Sequence, residues 1–301
     1  MIKSYGEIAA LLTAVCWSFN SVVFSLAGKR VGSVIVNKFR LWIAFIALLI
    51  LHLVLYRSFF PAAAAPREVF YLALSGVIGF IVGDSLLFEA FLLIGPRLAM
   101  LLMLLAPIIG AILAWIFLGE TLLFWEIIAI LVTMGGIGWT VSEGQPHTLL
   151  HRDQARRRGL GILLGIGGAV GQASGLLLSK MGMAHGLSPI SANHIRVTAA
   201  ALAITAASFL RGKMRADILK LKDIKAVLQI GSGALTGPVL GVILSLVAIR
   251  YTHIGIASTL MSLSPILLIP VGHFLFKERI TLRSVVGTVI ALTGAVLLFF
   301  L

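Results

Sequence analysis

Asn37-Lys38-Phe39-Arg40 returns 156 residues further on as Asn193-His194-Ile195-Arg196, and Ala99 through Pro107 to Glu120 returns, shifted by 158, as Ala257 through Pro265 to Glu278. Two halves of the chain share one plan: residues 1–142 as a first copy, 143–158 as a basic connector and 159–301 as a second copy. Setting Gln172 under Trp17, an offset of 155, places Lys180 under Ser25. At 158, Gly79 falls on Gly237, Gly83 on Gly241 and Gly136 on Gly294. Internal duplication marks a repeat architecture, and in membrane proteins it marks transporters assembled from two related halves.

The chain is 59% hydrophobic and 12% charged with a mean hydropathy of +1.08, against roughly 45–50% apolar and 25% charged in soluble domains. A water-soluble globule is excluded. Apolar stretches of about the 20 residues needed to cross a bilayer run over 5–27, 33–56, 69–94, 97–118, 124–142, 159–181, 188–210, 224–249, 254–276 and 282–301. The expected fold is all-α and integral to the membrane, with ten transmembrane helices in two five-helix repeats. Five is odd, so the second copy enters the bilayer from the opposite side and the repeats are inverted. Such a pair encloses a cavity that opens alternately to each side. Lys3 ahead of an apolar run ending in Ser25-Leu26-Ala27 has the outline of a cleavable signal. That run is long for a signal core and has a counterpart in the second half, so it reads as the first mature span.

A formal charge of +13 would suggest a nucleic-acid partner in a soluble protein. Here the positive residues lie in loops, as the positive-inside rule requires of a membrane protein, and no nucleic acid is expected. Outside the spans, one face holds Lys3, Arg57, Arg67, Lys180 and Arg250. The other holds Lys29, Arg30, Arg97, the four arginines of 152–158, the six basic residues of 211–225, Lys277 and Arg279. This bias, 5 against 15, puts both termini outside.

Cys16 is the sole cysteine, which excludes an intrachain disulfide or a thiolate cluster. His52, His185, His253 and His273 have no metal-ligand spacing, so no metal is expected. Gly165-x-Gly167-Gly168-x-x-Gly171 has the glycines of a dinucleotide loop but lies in an apolar span with no preceding strand. Gly167, Gly171 and Gly175 instead make one smooth helix face, and no cofactor is expected.

Gly- and Pro-interrupted spans at corresponding places point to the central site. Span three carries Gly76, Gly79 and Gly83; span eight carries Gly231, Gly233, Gly237, Pro238 and Gly241. The same residues also serve close helix packing. Charges inside a membrane cost about 2.5–3.5 kcal/mol each on insertion scales and face a cavity or a partner. Asp84 and Glu89 in span three, and Arg40 and Arg196 in spans two and seven, are therefore selective markers. Asp84 and Glu89 stand about 140° apart around a helix, so one pairs internally while the other meets a substrate or a proton. Their counterparts are Val242 and Val247, and a structural ion pair from Arg40 to either carboxylate is an equal alternative. Trp17, Asn20 and Gln172 offer an aromatic face and amides at membrane depth, suited to an apolar or zwitterionic metabolite, or else to core packing. Asn37 and Asn193 tie neighbouring helices. Pro107 and Pro265, read as mid-span, are hinges or bends that shape the bundle, and Glu120 and Glu278 precede helix starts.

Ten spans in two repeats, Trp17-x-x-Asn20 leading to Arg40, and the stretches Pro107 to Gly119-Glu120 and Pro265 to Lys277-Glu278 together resemble the drug/metabolite transporter superfamily. Within it, the chain is similar to EamA-type exporters with two EamA domains. The resemblance covers nearly the whole chain and rests on the repeat rather than on any one motif. It implies a multi-pass carrier in the bacterial inner membrane that exports small metabolites, amino acids or related amphipathic compounds. It also implies both termini in the cytoplasm, against the charge bias, and a lysine late in span one, which Lys180 supplies but Ser25 does not.

The expected substrate-binding set is Trp17, Asn20, Arg40, Asp84, Glu89, Gln172, Lys180 and Arg196, with hinges at Gly79, Gly83, Pro107, Gly237, Pro238 and Pro265. The partners are a small molecule, the lipid bilayer and a coupling proton on Asp84 or Glu89, with a monomer sufficient because one chain supplies one path. An enzyme is not expected: a polytopic membrane enzyme or lipid-handling protein would need clustered chemistry at one interface. An uncoupled facilitator or channel is the other alternative.

Overall fold

The computed structural model describes residues 2–61, 64–118, 124–142, 152–183, 186–251, 260–261, 263–277 and 281–300, and among them there is no strand. Helix α1 runs Ile2–Val31 and α2 Ser33–Tyr56. Helix α3 (Pro66–Gly76) passes through a π-helical segment, Val77–Gly83, into α4 (Asp84–Leu102). Helices α5 (Leu105–Leu118), α6 (Phe124–Ser142), α7 (Arg152–Gly182) and α8 (Pro189–Leu210) follow. A short α9 (Met214–Leu219) leads to α10 (Ile224–Ala234), which passes through a second π segment, Leu235–Gly241, into α11 (Val242–Tyr251). Helices α12 (Ser264–Phe276) and α13 (Leu282–Phe300) complete the order.

Local chemistry sets the breaks. Gly32, at φ 94, turns α1 into α2, a conformation that side-chain-free glycine adopts without strain. Within α4, Gly95 at φ 79 and ψ 158 precedes Pro96, which has no N–H and disfavours helical backbone before it. That break falls where the third expected stretch gives way to the fourth. Five segments are long and apolar enough to cross a bilayer: Tyr5–Val31, Ser33–Tyr56, Pro66–Leu102, Asp153–Ser179 and Ile224–Ser245. Pro189–Leu210 with Met214–Lys222, bent by 114°, makes a sixth; Ile108–Phe117, Ile127–Ser142, Ser264–Phe276 and Leu282–Leu297 are apolar and shorter. Large side chains such as Ile50, Val54, Phe117, Leu131, Leu163 and Phe209 lie exposed on the outside, as in a protein whose solvent there is lipid.

The two π segments occupy the same seven places of the repeat, shifted by 158. A π turn is rare and widens the helix locally. Both are built on paired glycines, and in the second Pro238 also removes a backbone donor.

Contacts between the halves come in reciprocal pairs. A Cβ on Gly136 of α6 would overlap the Ala291 backbone of α13, and one on Gly294, its repeat equivalent, would lie 2.5 Å from the nitrogen of Thr133, the equivalent of Ala291. Gly171 and Gly175 of α7 lie against the first π segment, where added Cβ atoms would come within 2.5 Å of Gly83 Cα and 3.0 Å of Gly79 Cα. The glycine face read from the sequence thus packs helix against helix.

Pro107 is the third residue of α5, just beyond a break at Met103-Leu104, and Pro265 sits in the first turn of α12, so each lies directly after a break in the backbone within an expected span rather than inside an unbroken helix. A first-turn proline gives up a donor that has no intrahelical partner anyway. Glu120, Glu278 and the side chains of Lys180 and Pro107 lie outside the described residues.

Candidate functional site

Helices α2 and α8 carry the repeated Asn-x-x-Arg and share a buried cluster with the first π segment, formed by Leu41, Ala44, Leu48, Phe80, Val197, Ala200, Ala201 and Ile204. In both copies the asparagine holds the π segment that follows it. Asn37 Nδ2 donates to the Phe80 carbonyl and to Ser85 Oγ, both at 2.8 Å, while Asn193 Nδ2 donates to the Pro238 carbonyl at 3.3 Å. Phe80 and Pro238 are repeat equivalents. Leaving such a buried carbonyl without a donor costs about 1–3 kcal/mol. Asn37→Ala is expected to lower the unfolding midpoint in detergent more than Asn193→Ala, since among the described residues the Asn37 side chain makes three hydrogen bonds and that of Asn193 one. Thermal unfolding of the two purified variants checks this.

The arginines one turn along differ. Arg40 Nε donates to Asn37 Oδ1 at 2.9 Å, and Arg40 Nη2 donates to Asp84 Oδ2 in an ion pair whose side chains are only 5% and 8% exposed. The rings of Phe24, Phe80 and Phe88 surround its guanidinium, Phe88 with its centroid 4.8 Å away. Arg196 has no carboxylate at the equivalent place, because position 242 is valine. It lies over the Phe80 ring at 4.5 Å, and its buried Nε has no hydrogen-bond partner among the described residues. Glu89 stands apart from this group and accepts a 2.6 Å hydrogen bond from Ser33 Oγ at the start of α2.

Trp17 and Asn20 on α1 face the second π segment, while Gln172 on α7 faces the first. A Cβ on Gly241 would lie 3.1 Å from Trp17 Nε1, and one on Gly237 would overlap the Asn20 amide. One on Gly83 would lie 3.3 Å from the Gln172 nitrogen, and one on Gly79 3.7 Å from Gln172 Oε1. Trp17 with Gly241 and Gln172 with Gly83 are again a reciprocal pair. Of the expected binding residues, the fold therefore gathers Arg40, Asp84, Gln172 and Arg196 around the first π segment. Trp17 and Asn20 lie at the second.

Each end of the α2–α8 pair is closed by a connecting segment. At one end Lys38 Nζ donates to Asp217 Oδ2 at 3.0 Å, Ser208 Oγ donates to the same oxygen at 2.5 Å, and Lys220 Nζ donates to the Val31 carbonyl. Nearby Arg30 donates to Asp223 at 2.8 Å and holds that exposed carboxyl below the usual carboxylate range, helped by the Ala226 N–H. A carboxyl depressed in the folded state contributes stability above its unfolded value and loses it as pH falls. At the other end the repeat equivalent of Lys38, His194, is hydrogen-bonded through Nε2 to the Phe59 carbonyl. His52, the equivalent of Ser208, is bonded through Nδ1 to the Ser58 carbonyl and stacks on His194 with centroids 5.4 Å apart. A carbonyl only accepts, so each histidine donates there. Sequence reasoning missed Ser208, Asp217 and this histidine pair, although the 156-residue offset relating His52 to Ser208 was a signal available in the chain.

The sequence profile described as the EamA-like transporter family matches residues 4–142 and again 159–300. The chain belongs to the EamA-like transporter family. Its membership accounts for the apolar helices and the duplicated plan, and makes the protein a multi-pass membrane transporter rather than an enzyme in general terms. A solved crystal structure superposes on it with a TM-score of 0.60, covering 98% of this chain and 96% of that one at 13% identity, which shows the fold alone. No curated protein matches it significantly by sequence. In this EamA-like protein both copies contribute to the candidate site: α2 and the first π segment from one, α7 and α8 from the other.

Proposed function

We propose that the protein is a secondary carrier that exports a small amphipathic metabolite, of the amino-acid class or similar, across the bacterial inner membrane. Its two copies, residues 1–142 and 159–301, act as inverted five-helix repeats, ten spans in all, around one path per chain. The supporting observation is reciprocity: Trp17 with Gly241 and Gln172 with Gly83, Gly136 with Ala291 and Gly294 with Thr133. Exchange of one such packing for its two-fold-related counterpart opens one end while closing the other. The bonds of Lys38 and of His194 are the two closures that would alternate.

Arg40 with Asp84 anchors the path wall, and Trp17, Asn20, Gln172 and Arg196 meet the substrate. The coupling proton belongs to Glu89, held by the Ser33 hydroxyl, and not to Asp84, which Arg40 engages. The end bearing Arg30, Arg97, Arg158, Lys220 and Arg283 is joined by the contacts Arg30 to Asp223, Arg97 to Ser284, Arg158 to Val141, Lys220 to Val31 and Arg283 to Ser142. By the positive-inside rule it faces the cytoplasm and both termini lie outside.

Purified protein in liposomes tests this reading. Saturable uptake with counterflow of labelled substrate against an internal pool is expected; linear flux without counterflow would make it a channel. Glu89→Gln is expected to abolish uptake driven by a pH gradient while leaving counterflow within about two-fold, and loss of both, or of neither, would remove the proton from Glu89.

A further inference from the structure

The first copy shows what the second one lacks. Around Arg40 the set is closed, with Nε on Asn37 Oδ1 and Nη2 on Asp84. Around Arg196 the same set is open: Arg196 Nε and Asn193 Oδ1, whose equivalents bond each other at 2.9 Å, are both buried and both without a partner among the described residues. The carboxylate is absent as well, since valine stands at 242. The guanidinium lies instead over the Phe80 ring. Its Nη2 and Gln172 Oε1 converge on Gly79, where an added Cβ would lie 3.6 Å from the one and 3.7 Å from the other.

Charge points the same way. Among the described residues Arg196 forms no salt bridge, and Asp84, the carboxylate at the first π segment, is already held by Arg40. Two guanidiniums share one carboxylate at membrane depth, where an unmatched charge is costly. The planar fork of an arginine suits two oxygens of one anionic group.

We infer that Arg196 is the receptor for an anionic oxygen group on the transported molecule, a carboxylate or a phosphate ester, which takes on Arg196 the place that Asp84 takes on Arg40. Asn193 Oδ1, one turn away on α8, accepts from a hydroxyl or ammonium of the same molecule. The inference rests on the carrier reading for the word "transported", but the site itself is a statement about binding.

The test is ligand-induced thermal stabilisation of the full-length protein in detergent. The probes are a C2–C6 carboxylate series, glycerol phosphate, butylamine and glycerol. Saturable stabilisation by the carboxylates or by glycerol phosphate is expected, the responding arm naming the group, with none from butylamine or glycerol. Arg196→Gln is expected to weaken the anion response by roughly 10- to 100-fold, as loss of a charged hydrogen-bonded contact implies. Arg196→Lys, which keeps the charge and loses the fork, falls between. Val242→Asp restores the missing carboxylate in the second copy and serves as a folded comparison in which the anion response is also lost. No anion response in the wild type, an equal response to amine or polyol, or an anion response unchanged in both Arg196→Gln and Val242→Asp overturns the site. Anion binding without counterflow of the bound anion would remove the carrier reading and leave the site standing. Counterflow confined to cations or neutral solutes would do the reverse.

Discussion

Asp84→Ala is expected to destabilise the protein by about 3–5 kcal/mol, the range seen when one partner of a buried ion pair is removed. That is a large part of a total stability of order 5–15 kcal/mol. The variant should accumulate poorly in the membrane and unfold early in detergent. The reason is the company Arg40 keeps: with Asp84 gone it retains Asn37 Oδ1 and three phenylalanine rings, and no carboxylate. The double variant Asp84→Leu with Arg40→Met removes both charges and is expected to recover most of the loss, since apolar replacement of a whole buried pair is often neutral or stabilising. Unfolding midpoints of both single variants and the double variant form a cycle. A double variant as unstable as the sum of the singles would mean that the pair is not the anchor proposed.

Gly171→Val is expected to have the next largest effect, about 3 kcal/mol or more, above the usual range for overpacking. A Cβ at Gly171 would stand 2.5 Å from Gly83 Cα and 3.0 Å from its nitrogen. Both are backbone atoms of the π segment, so no rotamer change relieves the clash, and α7 must move away from the wall of the path. Gly138 of α6 provides the contrast, as a Cβ there meets nothing within 4 Å. Gly138→Ala is expected to be neutral or to stabilise by up to about 1 kcal/mol through helix propensity. Equal effects at the two glycines, read by size-exclusion profile and unfolding midpoint, would contradict close packing at Gly83.

The all-helical membrane class was legible because hydropathy and helix length are local properties. The duplicated plan was legible because spacing survives where residue identity does not. The same spacing of Gly79 and Gly83 with Gly237 and Gly241 marked two interrupted spans, but that each interruption is a π segment was seen only in the structure. Pro107 and Pro265 were the only marks of the breaks at Met103-Leu104 and before Ser264, because apolar sequence runs on across both and leaves no composition change to show that a helix begins there. The choice of Asp84 over Glu89 as the partner of Arg40 turned on helix rotation and on Ser33 standing beside Glu89. The closure by Asp217 was hidden because residues 211–225 read only as a basic loop, in which two acids, Asp217 and Asp223, among six cations carry no address.

Alternating access through these two closures is the central claim, and distances across them test it most directly. In a Cys16→Ala background, spin labels at exposed Val34 and Ile218 report the Lys38–Asp217 end, and labels at Phe59 and Pro189 report the His52–His194 end. Pulsed electron resonance on protein in lipid nanodiscs, with and without saturating substrate, then gives two distance distributions. The expected result is reciprocal change, with one distance lengthening as the other shortens or stays closed. Both ends lengthening together, or neither moving while liposomes show saturable counterflow, would contradict it.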